Sequence, residues 1–267
     1  MRPYCIQSIG FGLLCAVLVS VANVQAADDL IVVAHRGVVT DTIPENSLAS
    51  LEETIRRGYT HIEVDLRVTK DGVIVVLHDG SLKRTAGVSK RITDVTVKEL
   101  HELVSPDLVP TLEMFCKASA NRIELMPDIK GVPEGKEKEF AGQMEGLLSH
   151  YGLLANALFI GKKEIHEYIV SPRRIATRDS VDQVKGKIAD DPDFVDGHFI
   201  FGHADDFNAE NVKAYRSMGL QVIVSVNLLH YKVDEAQARG LKDTAAMIAL
   251  GVDGVQIDSV YEAALGY

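Results

Sequence analysis

Short runs rich in Val, Ile and Leu recur along the chain with helix-like stretches between them, and this alternation limits the fold more than any other feature. Candidate strands are Leu30–Ala34, His61–Val68, Arg122–Ile129, Ala157–Ile160, Arg174–Thr177, Phe199–Phe201, Gln221–Val226 and Gly254–Ile257. A short extra strand, Val73–Leu77, follows the Lys70-Asp71-Gly72 turn. Helical patterns fall over Ser47–Arg57, Leu112–Ala120, Lys136–His150, Lys163–Ile169, Ser180–Ala189, Ala209–Met218 and Asp243–Leu250. Several strands are apolar on both faces, Leu30–Ala34 and Val222–Val226 among them, as expected of parallel strands covered on each side. Eight such strands with intervening helices predict a TIM-type (β/α)8 barrel, while a doubly wound open sheet fits the same periodicity. No linker, composition break or internal repeat divides the chain, so a single α/β domain is expected.

Residues 1–26 stand apart from this pattern. Arg2, an apolar stretch from Phe11 to Val24 and the small-residue site Val24-Gln25-Ala26 read as an export signal peptide, leaving residues 27–267 as the working domain. The apolar stretch is shorter than a bilayer requires, and no later segment is long enough to span one. An uncleaved N-terminal anchor is the alternative; lipidation at Cys15 is disfavoured by Leu14 before it. Export predicts a periplasmic or secreted protein. Removal of the signal takes Cys5 and Cys15 with it, so Cys116 is left alone and no internal disulfide is expected. It also takes Arg2, leaving 38 acidic against 27 basic residues, a net charge of −11. Such a surface opposes binding to nucleic acid or to an anionic membrane. Nothing in the chain fixes an oligomeric state.

Polar residues at the carboxyl ends of buried strands mark the candidate site, because barrels and open sheets both place their chemistry there. Leu30–Ala34 runs into His35-Arg36-Gly37, an imidazole able to move protons beside a guanidinium shaped for phosphate or carboxylate; a surface His-Arg pair at a turn would look the same. Glu63 and Asp65 lie two apart on a strand, so their carboxylates share a face about 7 Å apart. On an inward face they repel unless a cation lies between them, and carboxylate oxygens suit Mg2+ or Ca2+; a solvent-facing acidic edge is the plainer alternative. Val73–Leu77 leads into His78-Asp79, and His78 with His35 would form the acid/base couple that ester cleavage requires. Asp128 and Lys130 again lie two apart, a third carboxylate and a second cation. Glu124 shares their parity further back, where a barrel interior is apolar. Three carboxylates, one divalent cation, Arg36 and Lys130 leave such a site near +1 and suited to a small anionic phosphodiester. The Asp191–Gly197 stretch lacks calcium-loop spacing, and His198 and His203 are expected to be structural or solvent-exposed.

Taken in order, His35-Arg36-Gly37, Pro44-Glu45-Asn46, Glu63-Val64-Asp65, Thr69-Lys70-Asp71-Gly72, His78-Asp79, Leu82-Lys83-Arg84-Thr85, Val109-Pro110-Thr111-Leu112 and Asp128-Ile129-Lys130 resemble the glycerophosphodiester phosphodiesterase family. Fainter similarity continues through Gly219–Asn227 and Gly251–Gly254. The resemblance implies a TIM-type barrel and metal-assisted hydrolysis of a glycerophosphodiester to glycerol 3-phosphate and an alcohol, with a neighbouring substrate hydroxyl as a possible first nucleophile. It makes His35 and His78 the general acid/base pair, Glu63, Asp65 and Asp128 the ligands of one divalent cation, and Arg36 and Lys130 the phosphate-holding groups. Glu45 would support the site or help start the helix at Asn46 to Ser47, where Asn is a favourable cap.

The chain also departs from that family. Asp128 stands where many members carry Glu, and only Ser105–Leu108 separates Val104 from Val109, where a covering segment often lies. One strand ends in Gly161-Lys162-Lys163 instead of Ser-Phe; Ser225-Val226-Asn227 lacks the usual tryptophan, and Ile257–Val260 lacks the usual proline. The Asp128 change shortens a metal ligand by a methylene and bears on metal preference; the others alter the alcohol side of the site. They keep two alternatives open: phospholipase D-like or lysophospholipase D-like activity on the same barrel, and a non-catalytic ligand-binding surface protein.

Overall fold

The computed structural model describes residues 30–169 and 174–266. The expected signal peptide, with Cys5 and Cys15, lies outside the described residues. The elements in chain order are β1 (Ile31–Ala34), α1 (Leu48–Arg56), β2 (His61–Val68), β3 (Ile74–Val76), α2 (Lys83–Ala86), α3 (Val97–Leu103), α4 (Leu112–Ser119), β4 (Glu124–Gly131), α5 (Glu137–His150), β5 (Ile160–Gly161), α6 (Lys163–His166), β6 (Ile175–Thr177), α7 (Val181–Asp190), α8 (Phe194–Gly197), β7 (His198–His203), α9 (Ala209–Ser217), β8 (Val222–Val226), α10 (Ala236–Ala249) and β9 (Gly254–Ile257).

Eight of these strands run parallel in the order β5-β4-β2-β1-β9-β8-β7-β6, and β3 pairs antiparallel on β2 outside that ring. The two ends of the ring meet through a parallel bridge from Phe159 to Ile175. There the Phe159 N–H donates to the Arg174 carbonyl and the Ala176 N–H to the Phe159 carbonyl, both at 2.9 Å. The sheet is therefore a barrel, and the open-sheet alternative falls.

Two apolar layers explain why the strands lack polar alternation. Val32, Leu125, Ile200 and Val224 point outward beneath the helices. Their chain neighbours Val33, Met126, Phe199 and Ile223 fill the lumen with Leu158, Ile160 and Phe201. Both faces are thus removed from water, which suits parallel strands. The β2–β4 register sets Glu63 beside Met126 and Asp65 beside Asp128, so the inward face changes from apolar to acidic towards the carboxyl ends. Glu124, at the opposite end of β4, is half-buried, and Asn156 Nδ2 donates to its Oε1 at 2.9 Å.

Two differences from the expected elements have clear causes. Helix α10 begins seven residues earlier than expected, because Gly240, which breaks a helical pattern, is required by packing: a Cβ there would lie 2.1 Å from the Tyr261 ring. Residues between β3 and α4 contain α2 and α3, not anticipated from periodicity, and pack Val75, Leu77, Leu82, Ile92, Val95, Leu100, Val104 and Val109 into a small separate core. Cys116 is a free, buried thiol in α4, pushed up to about 12 by burial.

Candidate active site

The turn after β1 begins the site. Arg36 and Gly37 both adopt left-handed backbone, with φ of 57° and 81°. Gly37 also has no room for a side chain, since a Cβ would lie 2.6 Å from Ser50 Oγ. This tight turn aims the Arg36 N–H at Glu63 Oε2, 2.8 Å away. His35 sits at the mouth with Nδ1 2.8 Å from Asp258 Oδ1, just beyond β9, and the other oxygen of Asp258 accepts the Leu228 N–H at 2.5 Å.

Glu63, Asp65 and Asp128 each place an oxygen within 4.8 Å of the others'. Burial, then the like charges of Asp65 and Asp128, push the Glu63 carboxyl well above the usual carboxylate range. Burial opposes ionisation of Asp65 as well, but Lys130 and Arg36 outweigh it and hold this carboxyl below its ordinary value. Lys130 Nζ donates to Asp128 Oδ2 at 2.6 Å and stands 3.2 Å from Asp65 Oδ1. Asp65 Oδ1 is nonetheless buried without a well-directed hydrogen bond. An unsatisfied buried oxygen among three crowded carboxylates is what a hard divalent cation relieves, so the donor set fits such an ion.

A second set of charges ties β2 and β3 to the loop after β1. Glu45 accepts from Arg36 Nη1 at 3.1 Å and from Arg84 Nη2 at 2.6 Å, and Arg84 Nε donates to Asp79 Oδ2 at 2.7 Å. Asp79 Oδ1 in turn lies 2.7 Å from His78 Nδ1, while Arg67 Nε donates to the His78 carbonyl at 2.7 Å. All eight predicted residues, His35, Arg36, Glu45, Glu63, Asp65, His78, Asp128 and Lys130, therefore lie in connected networks around the carboxyl ends of β1, β2 and β4.

Four supporting residues were not anticipated in these roles. Asn46 is not the helix cap: Ser47 caps α1 by accepting the Ser50 N–H, and Asn46 instead bridges Asp65, donating from Nδ2 to Oδ2 at 2.7 Å and accepting the Asp65 N–H at 3.1 Å. Asp258, Arg84 and Asp79 are the others. Arg84 and Asp79 belong to the motifs Leu82–Thr85 and His78-Asp79, whereas Asp258 lies 223 residues from His35 and only the closed ring brings them together.

Comparison with known proteins decides the lineage. The model of the glycerophosphoryl diester phosphodiesterase family matches residues 35–262. The chain belongs to the glycerophosphodiester phosphodiesterase family. The Bacillus subtilis protein YhdW, which carries that enzyme's name, is 34% identical over 129 residues, 44% of this chain and 52% of that protein. The chain thus spans about half the length of that relative. A glycerophosphodiester phosphodiesterase from Agrobacterium tumefaciens superposes with a TM-score of 0.67 at 21% identity, covering 88% of this chain and 99% of that one. A phosphodiesterase from Oleispira antarctica, solved with the product sn-glycerol-3-phosphate, superposes with a TM-score of 0.68 at 20% identity over 90% of this chain and 98% of that one. These likenesses match the closed barrel described above.

The far side of the mouth carries polar and aromatic contacts of a different kind. Near the end of β8, Ser225 Oγ donates to Gln256 Oε1 at 2.6 Å, and Asn227 Nδ2, just past the strand, donates to Ser225 Oγ at 3.3 Å. His203 and His230 stack with ring centroids 3.7 Å apart. His198, at the start of β7, stacks on Phe194 and bonds its carbonyl through Nδ1 at 2.8 Å, a structural role as expected.

Proposed function

We propose that the chain hydrolyses glycerophosphodiesters to sn-glycerol 3-phosphate and an alcohol, using His35 and His78 as the acid/base pair with one divalent cation, Mg2+ or Ca2+, held by Glu63, Asp65 and Asp128. The observation that carries this reading is the cluster of three carboxylates at a barrel mouth, flanked by Arg36 and Lys130 and bounded by two histidines. The ion would neutralise charge on a non-bridging phosphate oxygen. Arg36 and Lys130 present N–H donors to the phosphate from β1 and β4. Asp258 holds Nδ1 of His35, which leaves Nε2 as its proton-transfer atom, and Asp79 does the same for His78. One histidine takes the proton of the neighbouring substrate hydroxyl as its oxygen attacks phosphorus, and the other protonates the departing alkoxide; the cyclic phosphate so formed is then opened by a water with the two roles reversed, so one water is consumed overall for each diester cleaved.

Release of glycerol 3-phosphate from deacylated phospholipids, measured with Mg2+, with Ca2+ and with excess chelator, tests this reading. Turnover in the metal buffers, lost with chelator and in His35→Ala and His78→Ala, is expected; full activity in chelator or in either variant would overturn it. Lysophospholipids in the same panel separate diester hydrolysis from lysophospholipase D-like activity. The location proposed with this function is outside the cytoplasm, supported by the charge and apolar pattern of residues 1–26. N-terminal sequencing of protein recovered from periplasm and medium, starting at Ala27, is the expected result.

A further inference from the structure

Beside the carboxylates, a cavity of about 630 Å³ opens between the ends of β4, β5 and β6. Asp128 and Lys130 form its inner edge, and Lys162, Lys163, His166 and Arg178 line the rest. The backbone makes this placement obligatory. Gly161 closes β5 with φ of 97°, and a Cβ there would lie 2.5 Å from both Asp128 Oδ1 and the Ile129 nitrogen. The Lys162 N–H then donates to the Ile129 carbonyl at 3.1 Å, so two lysines leave β5 directly alongside the acidic end of β4.

These cations differ from those of the reaction centre. Arg36, Arg84 and Lys130 are each ion-paired with two carboxylates. Among the described residues Lys162, Lys163 and Arg178 hold no ion pair; Asp179, which feels the charge of Lys163, is itself paired with Lys187. Glu164 is the one acid, besides Asp128, on the cavity wall. His166 supplies a second, independent observation: it is 8% exposed, and its Nε2 is buried without a partner. Burial favours the neutral form of this imidazole, with the Ile160 carbonyl partly opposing it as a hydrogen-bond partner of the ring, and Nε2 remains a buried polar atom without a well-directed partner.

We infer that this cavity is a subsite for an anionic group, phosphate or carboxylate, carried by the alcohol half of the phosphodiester. The inference rests on the phosphodiesterase function proposed above and names its substrate class. The glycerol half of the substrate is uncharged and needs only neutral hydrogen-bonding partners, so three cations without ion pairs among the described residues are matched to the other half. A cationic alcohol such as choline is repelled there. The anion would lie against Lys162 and Arg178, with a hydroxyl of the same alcohol on His166 Nε2.

The test uses four diesters that share one glycerophosphoryl half and differ in the alcohol: glycerol phosphate, glycerate, glycerol and choline. At about 50 mM salt, kcat/KM is expected to be at least about tenfold higher for the phosphate-bearing ester than for the glycerol ester, with glycerate between them and choline lowest; the gap narrows as salt screens the site. Lys162→Gln with Arg178→Gln should move the phosphate-to-glycerol ratio of kcat/KM towards one. A ratio near one in the wild type, preference for the choline ester, or an equal fall of all four rates in the double variant would overturn the inference. The phosphate and glycerate arms tell the two anion types apart. Calorimetric binding of glycerate, an anionic alcohol that is not the phosphate-bearing product, in excess chelator reads the subsite without catalysis: weaker binding by the double variant is expected, and equal binding would overturn the subsite. Turnover of the glycerol ester without anionic preference sinks the subsite alone, whereas failure to hydrolyse any of the four sinks the proposed function, and calorimetry still decides the cavity.

Discussion

Around one half of the barrel mouth, from β9 through β1 and β2 to β4, the charged side chains hold one another: Asp258 on His35, Glu45 between Arg36 and Arg84, Asp79 on His78, and Lys130 between Asp65 and Asp128. Around the other half, from β5 to β8, Lys162, Lys163 and Arg178 are exposed at strand ends without ion pairs among the described residues. The centre of the first half is buried as well as paired, Asp65 and Glu63 being 0% and 1% exposed, while Arg84 lies exposed at its rim. A group that must meet one fixed atom, the phosphorus, gains from being held by several partners, because a small displacement costs rate steeply. A group that meets a variable alcohol gains from reach. The contrast predicts that substitutions in the first half act on catalysis and metal affinity, and those in the second on substrate choice and on the pH response.

The largest effect expected is in the first half. His35→Ala removes one of the two proton-transfer groups and should lower kcat about 10²- to 10⁴-fold, measured on a glycerophosphodiester with the fold checked by circular dichroism. A fall of less than about tenfold would erase the distinction between the halves. The next largest is at the seam between them. Gly161→Ala puts a Cβ onto Asp128 and the Ile129 backbone in a left-handed conformation, and should destabilise by about 2–4 kcal/mol in urea unfolding. If stability were unchanged, β5 would not be locked against β4 and the two halves would be free to move separately.

Asn46→Ala sharpens the claim that the first half is tuned for a cation. Its amide ties both the carboxylate and the backbone of Asp65, so its loss should weaken Mg2+ or Ca2+ binding about 10- to 100-fold in a calorimetric titration. Asn46→Gly is the companion variant, because it tolerates the φ of 58° and isolates the amide from the backbone. Equal metal affinity in both variants and the wild type would make Asn46 a turn residue and no more.

Much of this was legible in the chain itself, and the remainder has physical reasons. Strand β2 falls on its expected limits, His61 to Val68, because its register is set by alternation between Ile62, Val64 and Leu66 outside and Glu63 and Asp65 inside. Helix α10 starts before the expected Asp243 and includes Gly240, a poor helix former whose reason, the Tyr261 ring, lies 21 positions on and meets it only in the fold. Helix α3 carries a local signal in the chain, since Thr96 and Glu99 form a reciprocal capping box, but it is too short for periodicity to show. The strand-end residues were found because chemistry at strand ends obeys a local rule. Asp258 and Asn46 were missed in their roles because hydrogen bonds to His35 and Asp65 depend on ring closure and on a left-handed turn, neither visible in periodicity.

The smallest effect expected belongs to the open half. His203 and His230 stack between β7 and β8, and burial, followed by the charges of His203 and His35, lowers His230 from 6.5 to about 4. Burial and the charge of Arg178 lower His203 too. In the folded protein both rings therefore stay neutral at a pH where the unfolded chain already binds protons. By linkage, their contribution to stability is complete above pH 6.5 and is lost as pH falls towards about 4, because protonation favours the unfolded state. The pair is half-exposed, so solvent screening keeps the effect below about 1 kcal/mol. Carboxylates also destabilise the protein in acid, so the informative quantity is the gap in Tm between wild type and His230→Gln, followed from pH 7 to pH 4.5. The gap should shift in favour of the variant as pH falls. A gap that stays constant would mean that the stacked pair does not titrate differently on folding, and that the open half is no more responsive to protons than the closed one.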